Sequence, residues 1–362
     1  KVLSKLLYLK RIFPGVTLAL IFFLFSHGIN NVLAIEVFGT TKSPISTVLI
    51  AILLGIIMGN AFTPRPGMMV GLDFTQQYIL KLGIIFLGIR LSFDEFLKFG
   101  YIAIPLIIIC IIGVLILIKL LIKKVPISSK MSYLIAIGTS VCGATAIVAT
   151  APVINAKKTE IAYAIANITL FGVIAMLAYP YFAEWYFSGN ELKAGLFLGT
   201  SIHETSQVAA AGLIYDQQFN SPETLNVATV TKLIRNTFLV IMIPLFAYLY
   251  SRGEVKNKDY SIFSIFPYFV LGFIGMILFR NLGDQIFTAG DQNYSVWIKL
   301  IEYIKILATT FLTMAMAAVG ISINLNELKS MGYKPFIVGL IVAITVGLIS
   351  LTYIQFLLKY FI

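Results

Sequence analysis

Residues 199–212 read GTSIHETSQVAAAG, a polar run that lies inside an apolar segment of the chain. The run places His203, Glu204 and Gln207 among hydroxyl and glycine residues, although 59% of the 362 residues are hydrophobic and only 12% are charged. A charged side chain in the middle of an apolar span costs about 2.5–3.5 kcal/mol on insertion scales unless it is paired, solvated or protonated. The stretch therefore predicts a polar cavity inside a membrane, where a small solute is handled.

The composition around this run predicts an all-α polytopic membrane protein. The mean hydropathy is +0.93, and the charged fraction is about half of the ~25% that soluble chains carry. Apolar stretches of about 18 residues or more recur along the chain, as expected for membrane-spanning helices. The net charge of +11 indicates loop lysines at the cytoplasmic face of a membrane, and no binding of nucleic acid is expected.

The hydropathy pattern predicts about 10–12 spans in a single integral membrane domain that covers residues 1–362. The eleven expected spans lie near residues 13–33, 45–61, 74–93, 99–122, 129–154, 159–186, 191–214, 223–250, 261–280, 296–322 and 334–361. Residues 63–67 and 71–77 are expected to form a loop and the start of a helix. Segments on the side of the N-terminus hold fifteen Lys and Arg residues, and segments on the other side hold eight. This bias favours a cytoplasmic N-terminus.

Two short segments resemble each other and predict inverted repeats. The segment GIRLSFDEFLKFGY (88–101) matches GISINLNELKSMGY (320–333) without a gap, and the match includes Glu95 and Glu327. Each copy closes one expected span and opens the next. Because seven spans separate the copies, they are expected to cross the membrane in opposite senses. This construction occurs in secondary transporters, and it divides the chain into halves at 13–186 and 191–361.

A second internal likeness predicts two discontinuous helices, one broken near 138–146 and one near 199–207. GTSVCGATA and GTSIHETSQ both place glycine and hydroxyl residues in mid-span, which weakens a helix where lipid cannot satisfy the freed backbone groups. The half-helix N-termini would present N–H groups and a positive dipole end to an anion. For 138–146, close helix packing through small residues is an equal alternative. Spans five and seven run in the same direction, so either the span count is off by one or the repeat is permuted.

The main ionisable candidates lie in the second break and in the span that follows it. Glu204 and His203 are candidates for taking up and releasing a coupling proton, and the alternatives are an interhelical salt bridge and a satisfied hydrogen bond. In the next span Lys232, Arg235 and Asn236 share one helix face. An inward guanidinium would suit carboxylate, sulfate or sulfonate oxygens, whereas snorkelling to the headgroups is the alternative.

Other polar residues are weaker candidates. Lys81 is expected to snorkel or pair, and Glu302 with Lys305 is expected to form an ion pair at a helix end, so no direct role is expected for these three. His27 is expected near the membrane interface. Cys142 is expected to be a small packing residue rather than part of a thiol–imidazole pair. The sequence contains no recognisable metal-ligand cluster, Walker motif or dinucleotide fingerprint, so no enzyme activity, cofactor or metal is expected.

Four segments together resemble the YeiH-like family of bacterial membrane proteins, whose members are labelled sulfate exporters. The segments are GTSVCGATAIVATAPVI (138–154), GTSIHETSQVAAAG (199–212), KLIRN (232–236) and MAMAAVGI (314–321). The resemblance covers essentially the whole chain and implies a fold similar to cation/proton antiporters and bile-acid symporters. It also implies a scaffold domain, a mobile core domain and an elevator-like mechanism. Family motifs fall on Gly138–Ala146, Gly199–Gln207, Lys232 and Arg235.

The resulting hypothesis is a proton- or ion-coupled secondary transporter that exports a small anion, such as sulfate, sulfite or an organosulfonate, across the bacterial inner membrane. The predicted substrate-binding residues are Ser140, Cys142, Gly143, Thr145, Ser201, His203, Thr205, Gln207, Lys232 and Arg235, and the predicted coupling residues are Glu204 and His203. Expected partners are an inorganic or organic anion, a coupling proton or sodium ion, membrane lipid and, in a homodimer, a second copy of the chain. The alternatives are a sodium/proton-type antiporter on the same scaffold, and a membrane enzyme or structural subunit.

Overall fold

The computed structural model describes residues 2–37, 43, 45–62, 66–125, 127–250, 267–288, 293–324, 333–356 and 358–360. Within these ranges the regular secondary structure is helical, which confirms the all-α class. The α-helices are α1 (Val2–Val32), α2 (Thr47–Ala61), α3 (Pro66–Phe74), α4 (Leu80–Leu87), α5 (Phe93–Leu121), α6 (Ser129–Ser140), α7 (Ala144–Thr150), α8 (Lys158–Phe187), α9 (Glu191–Ser201), α10 (Thr205–Phe219), α11 (Pro222–Thr237), α12 (Leu239–Tyr250), α13 (Phe269–Ile286), α14 (Tyr294–Ser322) and α15 (Tyr333–Phe356).

Eight helical stretches in the described part of the chain are long and apolar enough to cross a membrane. They are Lys10–Val37, Pro66–Arg90, Phe93–Leu121, Lys158–Phe187, Pro222–Phe246, Phe269–Ile286, Tyr294–Ser322 and Tyr333–Phe356. The short helix α2 is also apolar, and the fifth and seventh expected spans correspond to the interrupted pairs α6–α7 and α9–α10. Each expected span therefore has a helical counterpart, although residues 261–266 lie outside the described residues. A polytopic membrane protein is confirmed.

The third span differs from the sequence prediction at its start. It begins at Pro66 rather than near residue 74, because α3 continues through a π-helical segment, Thr75–Ile79, into α4. Residues 71–77 therefore lie within the helical stretch rather than in a loop. The helix start expected in 63–67 is present at Pro66, and residues 63–65 lie outside the described residues. Proline is well suited to the first turn of a helix, where its missing N–H has no intrahelical partner. Pro66 indicates a helix start in the sequence. The polar residues within 71–77 are typical of a loop, so the sequence does not indicate that the helix continues through them.

The chain separates into two compact units, each assembled from three segments. Unit 1 comprises Lys1–Glu95, Leu213–Ser221 and Phe269–Leu325, and unit 2 comprises Phe96–Gly212, Pro222–Tyr268 and Asn326–Ile362. The predicted halves at 13–186 and 191–361 depend on an internal repeat. Much of its second copy, residues 325–332, lies outside the described residues. The inverted repeat and the two halves therefore stay predictions.

In unit 1, helix α2 packs closely against α14 because glycine faces glycine. A methyl group added at Gly55 would lie 2.6 Å from the carbonyl oxygen of Ala317, and one added at Gly320 would lie 2.5 Å from that of Ile52. Small residues at such contacts let membrane helices approach until their backbones touch. The same interface is closed by a hydrogen bond from Asn60 Nδ2 to the carbonyl oxygen of Ile323, at 2.8 Å.

In unit 2, the first half of each interrupted helix is enclosed by other helices. Residues 134–141 and 194–203 are buried without exception. Helix α11 packs on α9, where a methyl group at Gly199 would lie 2.7 Å from Thr231 Cβ. Helix α15 contacts α9 through the hydroxyls of Thr200 and Ser350, which are 2.7 Å apart. The polar segments of the sequence are therefore held inside a helical unit rather than on its surface.

Candidate functional site

Both predicted helix breaks are present in unit 2. Helix α6 ends at Ser140 and α7 begins at Ala144, while α9 ends at Ser201 and α10 begins at Thr205. The first break turns at Gly143, whose φ of +73° is a conformation that side-chain-bearing residues rarely adopt. A Cβ at this position would also overlap the side chain of Glu204 from the second break. The two discontinuous helices are therefore confirmed, and their breaks lie against each other.

Lys232 on α11 closes the C-terminal ends of both first half-helices. Its Nζ donates to the carbonyl oxygens of Val141 and Ile202, each at 3.1 Å, and to that of His203. These three bonds use all three ammonium protons. The side chain has no exposed surface, so it does not snorkel to a headgroup layer. Its charge is instead placed at helix ends that carry partial negative charge.

Arg235, one turn further along α11, joins equivalent atoms of the two GTS motifs. Its Nη2 donates to the carbonyl oxygen of Thr139, and its Nη1 donates to that of Thr200. Its Nε donates to the carbonyl oxygen of Ser140 at 2.7 Å. Carbonyls in the last turn of a helix lack an intrahelical partner, and this fully buried guanidinium supplies one for both helices at once.

These contacts define what the two cations do in this structure. Most of their donors are already bonded to backbone oxygens, which leaves few for any other group. Direct hydrogen bonds from them to a substrate stay a prediction. The sequence singled out both residues but did not identify their backbone partners. The signal that pointed to those partners was the repeated GTS, which supplies the carbonyls of Thr139 and Thr200.

Glu204 lies at the junction of the two breaks and is partly exposed. Its Oε1 accepts a hydrogen bond from the backbone N–H of Ala144, the first residue of α7, at 3.4 Å. Its own backbone N–H donates to Gln207 Oε1 at 3.2 Å, which caps α10. Within the described residues it makes no ion pair of 4.0 Å or less. The carboxylate therefore lies at the positive end of a half-helix and does not form the interhelical salt bridge considered as an alternative.

His203 has different surroundings from its neighbour Glu204. Its side chain is 1% exposed, and its Nδ1 has no hydrogen-bond partner among the described residues. Ser201 Oγ is buried and unpartnered in the same way. The satisfied hydrogen bond considered for His203 is therefore not formed through Nδ1. A role for His203 in proton transfer stays a prediction.

Exposure divides the predicted site residues into two groups. The residues with some exposed surface are Cys142, Thr145, Glu204 and Thr205, and the enclosed ones are Ser140, Gly143, Ser201, His203, Gln207, Lys232 and Arg235. Asn236 connects the groups, because its Nδ2 donates to Thr205 Oγ1 at 2.9 Å. All these residues belong to unit 2. The breaks thus have an enclosed cationic side and an open side that presents a carboxylate and hydroxyl groups.

Metal ligation does not account for the arrangement. Across the described ranges, no group of three or more His, Cys, Asp or Glu side chains is placed to hold a metal ion. The two cysteines, Cys110 and Cys142, are free thiols.

The fold and the site define a polytopic helical membrane protein with two interrupted helices tied together by buried cations. Residues 17–339 match the family model described as conserved hypothetical protein 698, and the chain belongs to this family. It is 33% identical over 302 residues to the UPF0324 membrane protein SAG1125 of Streptococcus agalactiae, covering 83% of this chain and 87% of the relative. It is also 33% identical over 319 residues to the UPF0324 membrane protein FN0533 of Fusobacterium nucleatum, covering 87% and 90%.

A UPF0324 membrane protein of Clostridium tetani is 28% identical over 359 residues, which covers 95% of this chain and 97% of the relative. The match therefore extends over nearly the whole length of both proteins. No solved structure matches this chain. The resemblance to the YeiH-like family is confirmed as a family relation and as a membrane protein. Sulfate export and an antiporter-like fold remain proposals.

Proposed function

We propose that this chain is a proton-coupled secondary transporter of a small anion, such as sulfate, sulfite or an organosulfonate, in the bacterial inner membrane. The observation that carries the proposal is the pair of enclosed cations, Lys232 and Arg235, at two helix breaks that meet. In the elevator-like mechanism implied by the family, the breaks carry the solute. The proposal includes no enzymatic step and no cofactor.

The charge balance of the breaks supports an anionic guest. Lys232 and Arg235 contribute two positive charges, and Glu204 contributes one negative charge. The C-terminal ends of α6 and α9 add roughly one negative charge in total, and the N-terminal ends of α7 and α10 add roughly one positive charge. The result is about one net positive charge in a low-dielectric setting, where charges interact more strongly than in water. An anion would neutralise it.

Glu204 supplies a route to proton coupling. Its carboxylate accepts the N–H of Ala144, so it occupies the position that a substrate oxygen would take. Protonation of Glu204 removes its negative charge and weakens the hydrogen bond that its carboxylate accepts from the N–H of Ala144. Both changes favour binding of an anion. Proton and anion then move in the same direction. Export therefore requires an outward anion gradient that outweighs the inward proton gradient, and an inside-negative potential assists it only when the anion carries more than one negative charge.

The test is transport in proteoliposomes with Glu204→Gln, which mimics the protonated carboxyl. We expect this variant to lose pH-driven uptake of labelled sulfate or sulfite while retaining anion exchange at equal pH. Asp94→Asn, which removes an exposed carboxylate at the start of α5, is the matched control and should behave as the unaltered protein does. Normal pH-driven transport by Glu204→Gln would refute the coupling role.

A sodium/proton-type antiporter is the second candidate, and one observation favours it. Three of the four predicted site residues with exposed surface at the breaks, Glu204, Thr145 and Thr205, offer oxygen ligands, and hard cations prefer oxygen. Sodium flux that responds to a pH gradient in the absence of any permeant anion would favour this candidate. Anion flux that persists without sodium would favour the first.

A further inference from the structure

A cavity with several polar lining residues lies in unit 1, and none of the residues assigned to the breaks lines it. Its volume is about 320 Å³, which falls at the lower end of the range for small-molecule sites. Its wall includes His27, Arg90, Gln217, Lys305, Thr309 and Thr313. The last three share one face of α14 at spacings of four residues. All six belong to unit 1.

Two residues of the cavity wall, Arg90 and Gln217, each have a buried polar atom without a hydrogen-bond partner among the described residues. Arg90 Nη1 donates to Asp216 Oδ2 at 2.8 Å, while its Nε is buried with no partner in the described part of the chain. Gln217, the residue after Asp216, has a buried Oε1 that is likewise unpartnered among described residues. Buried polar atoms in proteins nearly always have a partner. The residues of this wall therefore contain one donor and one acceptor that no described residue satisfies.

Lys305 brings a second cation to the same wall. It lies eleven residues after Tyr294 and seventeen before Ser322 in α14, so about 16 Å and 25 Å of helix separate it from the two ends. The expected helix-end ion pair with Glu302 is wrong, because the position is internal and, across the described ranges, Lys305 makes no ion pair of 4.0 Å or less. A lysine within a spanning helix requires a wet cavity or a counter-charge.

The threonines of α14 add acceptors rather than donors. Thr309 Oγ1 donates to the carbonyl oxygen of Lys305 at 3.0 Å, and Thr313 Oγ1 donates to that of Thr309 at 2.8 Å. Each hydroxyl proton is thus used, and the oxygen lone pairs remain. Cationic donors and neutral acceptors therefore line one cavity.

We propose that this cavity is a second anion site, which binds a small oxyanion that also carries its own O–H or N–H donor. The cationic side chains of Arg90 and Lys305 bind the negative charge of the anion. Gln217 Oε1 and the hydroxyl oxygens of Thr309 and Thr313 accept a hydrogen bond from its O–H or N–H group. The site does not depend on the transport role proposed for the breaks. Its occupant is either a free solute or the headgroup of an anionic lipid, since both present the same chemistry.

The experiment is calorimetric binding to the purified full-length protein in detergent. Isethionate, a sulfonate with a hydroxyl, is compared with ethanesulfonate, which lacks it. We expect Lys305→Gln to weaken isethionate binding about tenfold or more, because a charge-assisted contact is lost. Lys299→Gln removes an exposed lysine from the same helix and should leave the affinity unchanged. Ethanesulfonate should bind the unaltered protein more weakly than isethionate.

Equal affinities of Lys305→Gln and Lys299→Gln for isethionate would overturn the site. Equal affinities of the two sulfonates would overturn the requirement for a donor. If Lys305→Gln does not yield folded protein, Thr309→Val tests the site instead, because it removes one of the acceptor hydroxyls from the cavity wall with little change in volume. A several-fold loss of isethionate affinity supports the site, and no loss overturns it. Glu204→Gln should retain the Lys305-dependent binding, so failure of the transport proposal is distinguishable from failure of this one.

Lipid nanodiscs identify the source of the occupant. If an anionic headgroup fills the cavity, phosphatidylglycerol should reduce the apparent affinity for isethionate relative to phosphatidylcholine. The reduction should be absent in Lys305→Gln. An unchanged affinity in both lipids assigns the cavity to a free solute.

Discussion

Arg235 illustrates how a single residue can carry a full charge at depth without an acidic partner. Burial of an ion costs several kcal/mol unless other groups replace its hydration. Here the replacement comes from backbone oxygens of Thr139, Ser140 and Thr200, which already carry the negative end of a helix dipole. A planar fork with several donors suits this geometry, because its nitrogens reach two helix ends at once.

The first prediction concerns this fork. Arg235→Lys keeps the positive charge but loses the hydrogen bonds to the carbonyl oxygens of at least one of the two helices, α6 or α9. We expect the free energy of unfolding to fall by about 2–4 kcal/mol, since hydrogen bonds to charged groups are worth about 1.5–3 kcal/mol each. Thermal unfolding in detergent measures it as a lower midpoint. Arg280→Lys, in the partly exposed Arg280–Asp284 pair, should cost less than about 1 kcal/mol. Equal shifts in both variants would contradict the prediction.

At the scale of the element, the first break is a turn that depends on one glycine. Gly143 has a φ of +73° and leaves room for the carboxylate-bearing side chain of Glu204. The break therefore combines a backbone requirement with a steric one. The steric requirement concerns the contact between Gly143 and Glu204, so the two discontinuous helices are coupled there.

The second prediction follows from this contact. Gly143→Ala should destabilise the protein by about 1–3 kcal/mol, because a φ of +73° with a ψ of −134° is a glycine-favoured conformation that strains a residue with Cβ, and it should impair pH-driven transport by displacing Glu204. Gly275→Ala, inside α13, is the control because nothing lies within 4 Å of the added methyl. That control should be neutral or stabilising by about 0.5–1 kcal/mol. Transport by Gly143→Ala at the unaltered rate would contradict the steric coupling.

Sequence patterns predicted the elements better than the contacts between them. The glycines and hydroxyls at 138–146 and 199–207 indicated where both breaks lie, because their effect on a helix is local, although at 138–146 close helix packing was an equal alternative. The partners of Lys232 and Arg235 were not identified from the sequence, since they are main-chain oxygens that any residue would supply, and the repeated GTS marks only where two of them lie. Pairing of Arg90 with Asp216 joins positions 126 residues apart, and local spacing contains no information about such a contact. The start at Pro66 was missed because polar residues in a helix resemble a loop.

At the scale of the whole molecule, the number of membrane crossings decides the orientation of every loop. Eleven expected spans include the interrupted pair α6–α7, which has a seven-residue second half. If that pair crosses the membrane, Lys123 before it and Lys158 after it lie on opposite sides. If the α6–α7 pair is instead re-entrant, Lys123 and Lys158 lie on the same side of the membrane, and the number of spans changes by one.

The third prediction uses Lys123→Cys and Lys158→Cys, each in a Cys142→Ser background. Both lysines are exposed, and the remaining thiol, Cys110, is buried. We expect a membrane-impermeant maleimide to label the Lys158→Cys protein in intact cells, and the Lys123→Cys protein only after permeabilisation. The Cys142→Ser parent should remain unlabelled. Labelling of both variants from the same side would refute a crossing by α6–α7.

The bridge formed by Arg235 constrains any working cycle of the protein. Separation of the ends of α6 and α9 would break the hydrogen bonds of the Arg235 guanidinium to their carbonyl oxygens. Because this side chain is fully buried, solvent could not replace those bonds. If the transport proposed above takes place, the two breaks are therefore expected to shift together as a rigid pair, with the solute moving alongside them instead of through a gap between α6 and α9.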